Sequence, residues 1–401
     1  MNGAAKRTQT LLPGSLVHGQ PATLGVMGGG QLARMFVHAA QRMGYFTAVL
    51  DPDPASPAGL ISHHHIQTAY LDEQGLAQLM QRCAAITTEF ENVPAPALFT
   101  LGAQRPVAPA ADVVAIAQDR SEEKRHFERF AAQSGVTVAP YAVITTPQQL
   151  LAVPDTLLPG ILKTTRMGYD GKGQIRVKTR SELASAWEAL KNVACVLEKM
   201  LPLKAECSVL VARGWDGSLV NLPVQLNLHR DGILALTSVH ENNLPQSLTS
   251  KAINATKTIA HGLQYVGVMC LEFFVLEDDT LVVNEMAPRP HNSAHYSIDA
   301  CDVSQFELQV RTLAGLPLSQ PRQHSPAIMI NLLGDIWESD PHDSPPWNKV
   351  LALPGTHLHL YGKLKPGKGR KMGHLTVTGK STDEVQATAR AAAEILGIAP
   401  F

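Results

Sequence analysis

From Thr23 onward, the chain alternates short apolar runs with longer segments in which apolar residues recur every three or four positions. The first set predicts a buried strand at 24–27, a helix at 31–44 and a second strand at 46–50. Three glycines, Gly28 to Gly30, separate the first strand from the helix. This order predicts an α/β unit of the doubly wound kind near the N-terminal end of the chain.

Asp51 follows the second strand, at the distance at which a dinucleotide-binding fold places an acid on the ribose. The glycine turn reads G-V-M-G-G-G-Q-L and lacks a clean G-x-G-x-x-G pattern, and glycines here also permit close packing. Packing is therefore the favoured interpretation, and an NAD site is the alternative. The run His63 to His65 predicts a loop or a strand edge rather than a metal site, because three consecutive side chains point in different directions.

The same patterns predict elements along the rest of the chain. The predicted strands lie at 85–88, 142–144, 161–163, 195–198, 269–274, 281–283, 327–332, 357–361 and 374–377. The predicted helices include 119–133, which begins a second unit, and a closing amphipathic helix at 382–396. A length of 401 residues predicts two or three domains at roughly 150 residues each.

Composition and charge narrow the class of protein. With 34 Lys and Arg against 35 Asp and Glu, the net charge of -1 excludes a global positive field for nucleic acid or an anionic membrane. The 45% hydrophobic and 17% charged residues predict an ordinary globular protein. No window approaches the roughly 18 consecutive apolar residues of a membrane span. The 5 cysteines are odd in number and form no C-x-x-C pair, which favours reduced thiols in a cytoplasmic protein.

The first part of the chain contains no acidic residue before Asp51. Acid-poor segments of this kind occur in organelle transit peptides and in short disordered arms. A flexible arm over residues 1–22 is the favoured interpretation.

A glycine-rich segment at 163–174 carries the first candidate chemistry. Lys163 begins the segment, Lys172 lies near its end, and glycines occupy positions 168, 171 and 173. Backbone N–H groups and ammonium groups in such a loop can cover a polyphosphate. A structural hairpin turn is the alternative. It would explain one or two of the glycines, but it would not explain the basic residues on both sides.

Acidic residues on several predicted strands carry the second candidate chemistry. Glu198 and Glu206 belong to one region, Glu272 lies on a later strand, and the pair Asn284 and Glu285 ends the next. Carboxylates on neighbouring strands can hold a Mg2+ ion that bridges nucleotide phosphates. Each acid alone could be a solvent-facing strand residue, and the combination with an upstream glycine loop favours phosphoryl transfer.

Two further segments combine charge with turn residues. Glu89 and Glu91 lie two positions apart after a strand, where they could perform acid–base work, bind a substrate hydroxyl pair or simply close the strand. The basic run near the C-terminal end suits a phosphate clamp better than a solvated hairpin tip, and without interleaved aromatics it suits nucleic acid poorly. Its five cations are Lys363, Lys365, Lys368, Arg370 and Lys371.

Five strings of the chain together resemble the ATP-grasp superfamily and, within it, the N5-carboxyaminoimidazole ribonucleotide synthetase family of purine biosynthesis. They are G-G-G-Q-L-A-R-M at 28–35, T-T-E-F-E-N-V-P at 87–94, G-Y-D-G-K-G-Q at 168–174, N-E-M-A-P-R-P-H-N-S at 284–293 and G-R-K-M-G-H at 369–374. The resemblance runs from about Thr23 to the C-terminus. A longer loop around Lys368 and the N-terminal extension depart from the family pattern.

The resemblance implies an α/β and α+β protein with three domains. These are a Rossmann-like pre-ATP-grasp domain at 23–118, an ATP-grasp domain at 119–325 with a lid subdomain at about 137–205, and a small β-rich C-terminal domain at 326–401. It also implies a cytoplasmic, homodimeric ligase that uses ATP, Mg2+ and bicarbonate to carboxylate 5-aminoimidazole ribonucleotide, without nucleic acid or membrane partners. Alternatives are another acyl-phosphate ligase, such as formate-dependent glycinamide ribonucleotide transformylase, and a non-catalytic nucleotide-binding protein.

The resemblance also assigns roles to individual positions. Expected ATP contacts are Arg120, Lys163, the loop residues Gly168, Tyr169, Asp170, Gly171, Lys172, Gly173 and Gln174, then Glu198, Lys199, Met200, Leu201, Glu206, His229, Asn284 and Glu285. The expected metal ligands are Glu272 and Glu285, and the expected catalytic residues are Arg289, His291 and Asn292. The expected ribonucleotide contacts are Tyr169, Asp170, Arg289, Lys363 and Arg370, with Lys371 as a further candidate and Glu89 and Asn92 near the pocket.

Overall fold

The computed structural model describes residues 10–168, 173–337 and 344–401. The described part of the N-terminal extension carries a short hairpin of β1 (Leu16–Val17) and β2 (Gln20–Pro21). Leu11 is buried, its N–H donates to the Ala314 carbonyl at 2.9 Å, and its carbonyl accepts from the Tyr45 hydroxyl at 2.7 Å. Residues of the segment for which the sequence predicts a flexible arm therefore contact the rest of the chain.

The next unit is the predicted doubly wound one, and its strands lie in a parallel sheet of order β5-β4-β3-β6. His64 and His65 lie on the edge strand of this sheet, as the sequence predicted. The elements of this unit are β3 (Thr23–Met27), α1 (Gln31–Arg42), β4 (Phe46–Leu50), β5 (His64–Ile66), α2 (Glu73–Arg82), β6 (Ala85–Thr88), α3 (Ala95–Gly102) and α4 (Ala111–Ala117).

The glycine turn between β3 and α1 is stabilised by two carboxylates of the protein itself. The N–H of Gly29 donates to Asp51 Oδ2 at 2.7 Å, and the N–H of Gly30 donates to Glu89 Oε1 at 2.7 Å. Gly28 has a φ of 97°, which favours glycine because L side chains rarely adopt it. Asp51 also accepts from the Tyr70 hydroxyl at 2.7 Å, so this acid serves the turn, in agreement with the packing interpretation.

The middle of the chain forms a smaller antiparallel sheet and most of a larger mixed sheet. The smaller one has the order β10-β9-β11-β8, and the larger one contains β12 to β17 together with β7, which is parallel to β17. The elements are α5 (Arg120–Ser134), β7 (Thr137–Val138), β8 (Tyr141–Ile144), α6 (Pro147–Leu151), β9 (Gly160–Thr164), β10 (Gln174–Val177), α7 (Arg180–Ala189), β11 (Cys195–Lys199), β12 (Leu203–Arg213), β13 (Leu219–Asn221), β14 (Gln225–Arg230), β15 (Ile233–Val239), α8 (Gln246–Gly262), β16 (Gly267–Leu276), β17 (Leu281–Ala287), α9 (Ser297–Ala300) and α10 (Gln305–Ala314).

The last segment continues the larger sheet. Its elements are β18 (Ala327–Leu333), α11 (Trp347–Val350), β19 (Thr356–Leu360), β20 (Lys371–Thr378) and α12 (Thr382–Ile395). β18 pairs with β15 in antiparallel register, with Leu236 opposite Ile330, and β20 and β19 follow it. The larger sheet therefore has 10 strands and crosses the boundary that the sequence places at 325/326.

The core lies on both faces of the larger sheet. One cluster packs α5 and α8 against the sheet, and another packs α10 against β12 and β16. All five cysteines are free and buried in such clusters. In the described part of the chain, no helix is long and apolar enough to cross a membrane.

Candidate active site

A buried cluster of charges joins the smaller sheet to α5. Lys163 on β9 and Lys124 on α5 contact opposite oxygens of Glu198 on β11, at 3.0 Å and 3.1 Å respectively. Burial alone would raise the pKa of Glu198, but the charges of the two lysines lower it to about 2. The expected ATP contacts Lys163 and Glu198 therefore lie together, and a second lysine, Lys124, which the sequence did not single out, contacts the same carboxylate.

The glycine-rich loop connects β9 to β10, so it is a hairpin connection beside Lys163. Gln174 lies opposite Lys163 in the strand register, and the N–H of Thr164 donates to the Gly173 carbonyl at 2.9 Å. Gly173 has a φ of 71°, which favours glycine. The loop residues Tyr169, Asp170, Gly171 and Lys172 lie outside the described residues, while Gly168, Gly173 and Gln174 lie within them.

The expected nucleotide residues after Glu198 line the end of β11. The N–H groups of Lys199 and Met200 donate to the carbonyls of Pro140 and Pro159 at 2.9 Å and 3.0 Å, and Leu201 follows them. These two N–H groups are therefore engaged within the protein.

Glu206 on β12 and His229 on β14 face the same cavity. Its volume is about 360 Å³, and its lining also includes Leu203 and Leu226. His229 Nδ1 lies 2.8 Å from Glu206 Oε2, and although burial alone would lower the pKa of His229, this contact raises it. The cavity combines apolar walls with one ion pair, which suits a nucleoside.

The two expected metal ligands lie on adjacent strands. Glu272 on β16 and Glu285 on β17 are register partners, and Arg120 Nη1 donates to Glu285 Oε2 at 3.0 Å. Asn284 Oδ1, beside them in sequence, is a buried oxygen that accepts no hydrogen bond from any described residue. Two carboxylates and an unsatisfied carboxamide oxygen are the hard oxygen donors that Mg2+ prefers, so these residues fit that ion.

His291 lies against one of these acids. Its Nε2 is 2.9 Å from Glu272 Oε1. Burial alone would lower the pKa of His291, whereas Cys270 and the Glu272 carboxylate raise it. Burial alone would likewise raise the pKa of Glu272, and His291 lowers it. Each member of the pair therefore favours the charged form of the other.

Arg289 and Asn292 flank that histidine in two different ways. Arg289 Nε donates to Glu91 Oε2, and Nη1 donates to the Pro290 carbonyl at 3.0 Å. Burial alone would lower the pKa of Arg289, but Glu91 raises it. Asn292 is only 6% exposed, and neither end of its carboxamide has a hydrogen-bond partner among the described residues. A buried carboxamide without a protein partner is free to bind a ligand or a water molecule.

The predicted phosphate clamp lies where β20 begins. Lys363 Nζ donates to the Lys371 carbonyl at 2.7 Å and to Gln31 Oε1, which places it at the first residue of α1. Arg370 is exposed and donates to the Lys365 carbonyl at 2.7 Å, so the structure does not join it directly to Lys363. The positive charge of Lys371 lowers the pKa of Glu272 on β16, in addition to the effect of His291.

Family models match each of the three segments. Residues 21–118 match a ribonucleotide synthetase pre-ATP-grasp domain, residues 129–306 match an ATP-grasp domain, and residues 327–388 match a phosphoribosylaminoimidazole carboxylase C-terminal domain. The chain is 40% identical over 374 residues to the N5-carboxyaminoimidazole ribonucleotide synthase of Brucella melitensis, an alignment that covers 92% of this chain and 97% of that protein.

The chain belongs to the N5-carboxyaminoimidazole ribonucleotide synthase family.

Further members of this ATP-dependent ligase family are similar in sequence or in structure. The Bacillus subtilis synthase is 37% identical over 90% of this chain and 93% of its own length. The Staphylococcus aureus enzyme in complex with ADP has a TM-score of 0.86 at 35% identity, over 97% of this chain and 99% of its own. The Aspergillus clavatus enzyme in complex with ADP and 5-aminoimidazole ribonucleotide has a TM-score of 0.84 at 29% identity, over 94% and 99% of the two chains.

The sequence did not predict the roles of three charged residues of this site. Lys124 and Glu123 lie in the charged helix α5, where the sequence offers no sign of burial. Glu123 accepts from the Met286 N–H at 2.6 Å, and burial raises its pKa to about 8 although Arg120 opposes this. Glu91 was noted as one of two acids after a strand, and the structure makes it the partner of Arg289.

Glu89 and Asn92, which the resemblance placed near the pocket, lie in the segment that follows β6. Glu89 accepts from the Gly30 and Ala33 N–H groups at 2.7 Å and 3.0 Å, so its carboxylate binds the first turn of α1. Asn92 is half-buried in the same segment. Glu89 thus binds the first turn of α1, whereas Glu91 binds Arg289.

Two histidines, His359 and His374, lie together with Asp299 between α9, β19 and β20. His359 Nε2 is 2.8 Å from Asp299 Oδ2, and the His359 ring stacks on His374 at 4.5 Å between centroids. Tyr361 and His374 are in turn 3.0 Å apart between hydroxyl and Nδ1. These contacts stabilise the attachment of the last segment to α9.

Proposed function

We propose that this chain uses ATP and bicarbonate to carboxylate the exocyclic amine of 5-aminoimidazole ribonucleotide. A bicarbonate oxygen attacks the γ-phosphorus of ATP, the bond to the ADP oxygen breaks, and carboxyphosphate forms. The amine then attacks the carboxyl carbon, inorganic phosphate leaves, and the amine loses a proton. Bicarbonate is a poor electrophile, and phosphorylation supplies the leaving group that the second step needs.

The observation that supports this proposal most strongly is the segment that follows β17. This segment brings an arginine, a histidine and a buried carboxamide without a described partner shortly after the acid Glu285. The guanidinium of Arg289 suits a planar oxyanion such as bicarbonate, since its fork can donate two parallel hydrogen bonds. The carboxamide of Asn292 can both donate to and accept from the reacting groups.

In this proposal, the nucleotide occupies the region between the smaller sheet and the cavity of Glu206 and His229. Lys163 and the glycine-rich loop cover the phosphates, and Arg120 lies beside Glu285. Glu272, Glu285 and Asn284 would hold Mg2+, which when bound neutralises charge on the phosphate oxygens. Lys363, Arg370 and Lys371 would bind the phosphate of the ribonucleotide at the start of β20, with Tyr169 and Asp170 of the loop as further contacts.

Enclosure of the site is the second requirement of this chemistry. Carboxyphosphate is labile in water, so the acceptor amine must lie close to it before solvent enters. Arg289 contacts Glu91 from the segment after β6, and Lys363 contacts Gln31 of α1. The N-terminal unit is therefore in contact with both the anion side and the phosphate side of the proposed site.

The deciding experiment measures ADP release with Mg-ATP and bicarbonate, with and without 5-aminoimidazole ribonucleotide. We expect ADP release to rise with the ribonucleotide, and labelled bicarbonate to enter an acid-labile product. ADP release that responds to formate and glycinamide ribonucleotide instead would favour the transformylase alternative. Stoichiometric ATP binding without turnover would favour a binding protein.

We also propose that the enzyme acts in the cytoplasm as a homodimer, as the family resemblance implies. Light scattering on the purified protein is expected to give twice the mass of one chain. The mass of a single chain at micromolar concentration would contradict the dimer.

A further inference from the structure

The catalytic candidate His291 is held on two sides by buried polar side chains that have no part in the proposed chemistry. We propose that Gln305, Ser293 and Ser208 are positioning residues that fix the backbone and the imidazole of His291. The inference rests on the proposed role of His291 and adds the groups that hold this residue in place.

Gln305, in the first turn of α10, binds the backbone of His291 at two points. Its Oε1 accepts from the His291 N–H at 2.8 Å, and its Nε2 donates to the His291 carbonyl at 2.9 Å. The carboxamide thus pairs with one residue as a neighbouring strand would. Among side chains, only Asn and Gln offer a donor and an acceptor in this fork, and Gln305 is fully buried.

The Nε2 of Gln305 also lies 2.8 Å from His295 Nδ1. Burial lowers the pKa of His295 well below its usual range, so its imidazole is neutral and can accept at Nδ1. Gln305 therefore contacts an acceptor on each side of its NH2 group. A glutamate here would place a second oxygen against these acceptors, so only the amide suits the position.

The imidazole of His291 is held from the opposite side by a chain of hydroxyl groups. His291 Nδ1 is 2.9 Å from Ser293 Oγ, and Ser293 Oγ is 2.7 Å from Ser208 Oγ on β12. Ser208 then donates to Gln225 Oε1 at 3.1 Å and accepts from Asn227 Nδ2 at 2.9 Å. Both serines are fully buried.

Two hydroxyl groups thus connect His291 Nδ1 to the carbonyl oxygen of Gln225. The backbone N–H of Ser293 also donates to Nδ1, at 3.4 Å. At the other edge of the ring, Nε2 faces Glu272 at 2.9 Å. Both ring nitrogens and both backbone groups of His291 are thus engaged, which opposes rotation of the ring and movement of the loop.

Gln305, Ser293 and Ser208 matter because a catalytic residue must be held in an accurate position relative to the reacting groups. A displacement of about 1 Å at a reacting group can cost roughly 100-fold in rate even when the mutation lies elsewhere. His291 belongs to an irregular segment after β17, and a segment without ladder hydrogen bonds needs side chains to hold it. Gln305 replaces the missing strand partner of the backbone, and the two serines fix the imidazole.

The test compares two buried glutamines on the same helix. Gln305→Met keeps the length of the side chain and removes both hydrogen bonds to His291. Gln309→Met is the matched control, because Gln309 is equally buried one turn later and contacts Thr87 rather than His291. We expect Gln305→Met to lower kcat on the order of 10- to 100-fold with a KM for ATP within about twofold of the wild type. Gln309→Met should reduce thermal stability and leave kcat unchanged.

Equal kcat values for the two variants would overturn the proposal. Should Gln305→Met fail to fold, Ser208→Ala supplies the same test, because it removes the second hydroxyl of the chain at a small change in volume. We expect Ser208→Ala to lower kcat several-fold, again without a change in the KM for ATP. A wild-type kcat for Ser208→Ala would overturn the role of the hydroxyl chain.

A double-mutant cycle separates this inference from the proposed function. If Gln305 acts through His291, Gln305→Met should have little further effect on kcat when His291 is already alanine. A full, multiplicative loss in that background would overturn the positioning role while leaving the role of His291 intact. Wild-type turnover by His291→Ala alone would contradict the proposed function itself and remove the basis of the inference.

Discussion

The two halves of the proposed site differ in how their buried polar groups are satisfied. On the nucleotide side, Lys124 and Lys163 contact Glu198 within the protein. On the reaction side, Arg289 and His291 are likewise paired with acids, but the carboxamides of Asn284 and Asn292 retain buried atoms that no described residue satisfies. A buried charge costs several kcal/mol unless it is paired, whereas an unpaired neutral amide costs about 1–3 kcal/mol. The buried groups without a described partner in this contrast are thus neutral amides, whose free-energy cost is smaller than that of an unpaired charge.

This contrast has a consequence for ligand binding. The proposed function requires Lys163 to exchange a protein carboxylate for a phosphate, and Lys124 remains to pair with Glu198 when it does so. The Asn292 carboxamide has no hydrogen bond to a described residue. A ligand can therefore bind to it without first breaking such a bond. The four predictions below test the contrast in order of expected effect.

Glu198→Gln should produce the largest loss of stability, because two buried lysines lose their counter-charge. Removal of one partner from a buried ion pair costs about 3–5 kcal/mol. The folded-state pKa of Glu198, about 2, lies below its ordinary value of 4.5. The carboxylate therefore stabilises the fold above about pH 4.5, and this contribution is lost as the pH falls towards 2. Denaturant unfolding of both proteins at pH 7 and pH 3 should show a difference that shrinks at the lower pH.

A constant difference between the two pH values would contradict the assignment of charge in this cluster. Lys204→Gln is a suitable control, since Lys204 forms an exposed ion pair with Asp279 at 2.7 Å. Its effect on stability should stay below about 1 kcal/mol.

Arg289→Lys should lower kcat by about 100- to 1000-fold, which is the usual cost of removing one donor from a stabilised oxyanion. An ammonium cannot reproduce the two parallel hydrogen bonds of a guanidinium. Bicarbonate-dependent ADP release measures the effect, and Arg322→Lys is the control because Arg322 forms an exposed ion pair with Asp302. Retained bicarbonate-dependent cleavage of ATP would show that the anion binds elsewhere.

Glu285→Gln should leave the fold intact and raise the Mg2+ concentration needed for half-maximal turnover. Loss of groups that merely support metal ligands costs about 10- to 100-fold in metal affinity, and loss of the charge of a ligand should cost at least as much. A Mg2+ titration of kcat measures this. Wild-type turnover at low Mg2+ would exclude Glu285 as a ligand.

Asn292→Leu should have the smallest effect on the fold, and that effect should have the opposite sign to that of Glu198→Gln. The substitution removes a buried carboxamide that lacks described partners, so we expect stability to rise by about 1 kcal/mol while turnover falls at least tenfold. Thermal unfolding and ADP release measure the two effects. A loss of stability would mean that the carboxamide is satisfied in the folded protein.

Much of the secondary structure could be predicted from the apolar pattern. The strands at 46–50 and 85–88 match β4 and β6, and the helix at 119–133 is shifted by one residue at each end from α5. These elements carry strong local periodicity, and their burial follows from it. The hairpin of β1 and β2 was missed because strands of two residues are too short to show any period.

The site was less predictable wherever it depends on tertiary contacts. The burial of Lys124 follows from the packing of α5 on Glu198, which no local pattern records. The role of Gln305 depends on a contact with His291 from another element. The resemblance supplied the residues expected to meet the ligands, but it did not supply the side chains that hold them.

The continuity of the larger sheet bears on how this chain can be divided. β18 pairs with β15, and Leu236, Ile330 and Leu375 share one apolar cluster across that junction. Arg230 on β14 also donates to the carbonyls of Ala399 and Pro400 at 2.9 Å and 2.6 Å. A fragment that ended at residue 325 would expose β15 as a long unpaired edge, a form that invites aggregation. If the chain were split at this point, we expect both pieces to be recovered in soluble form only when they are produced together, because each supplies the strand that pairs with the exposed edge of the other.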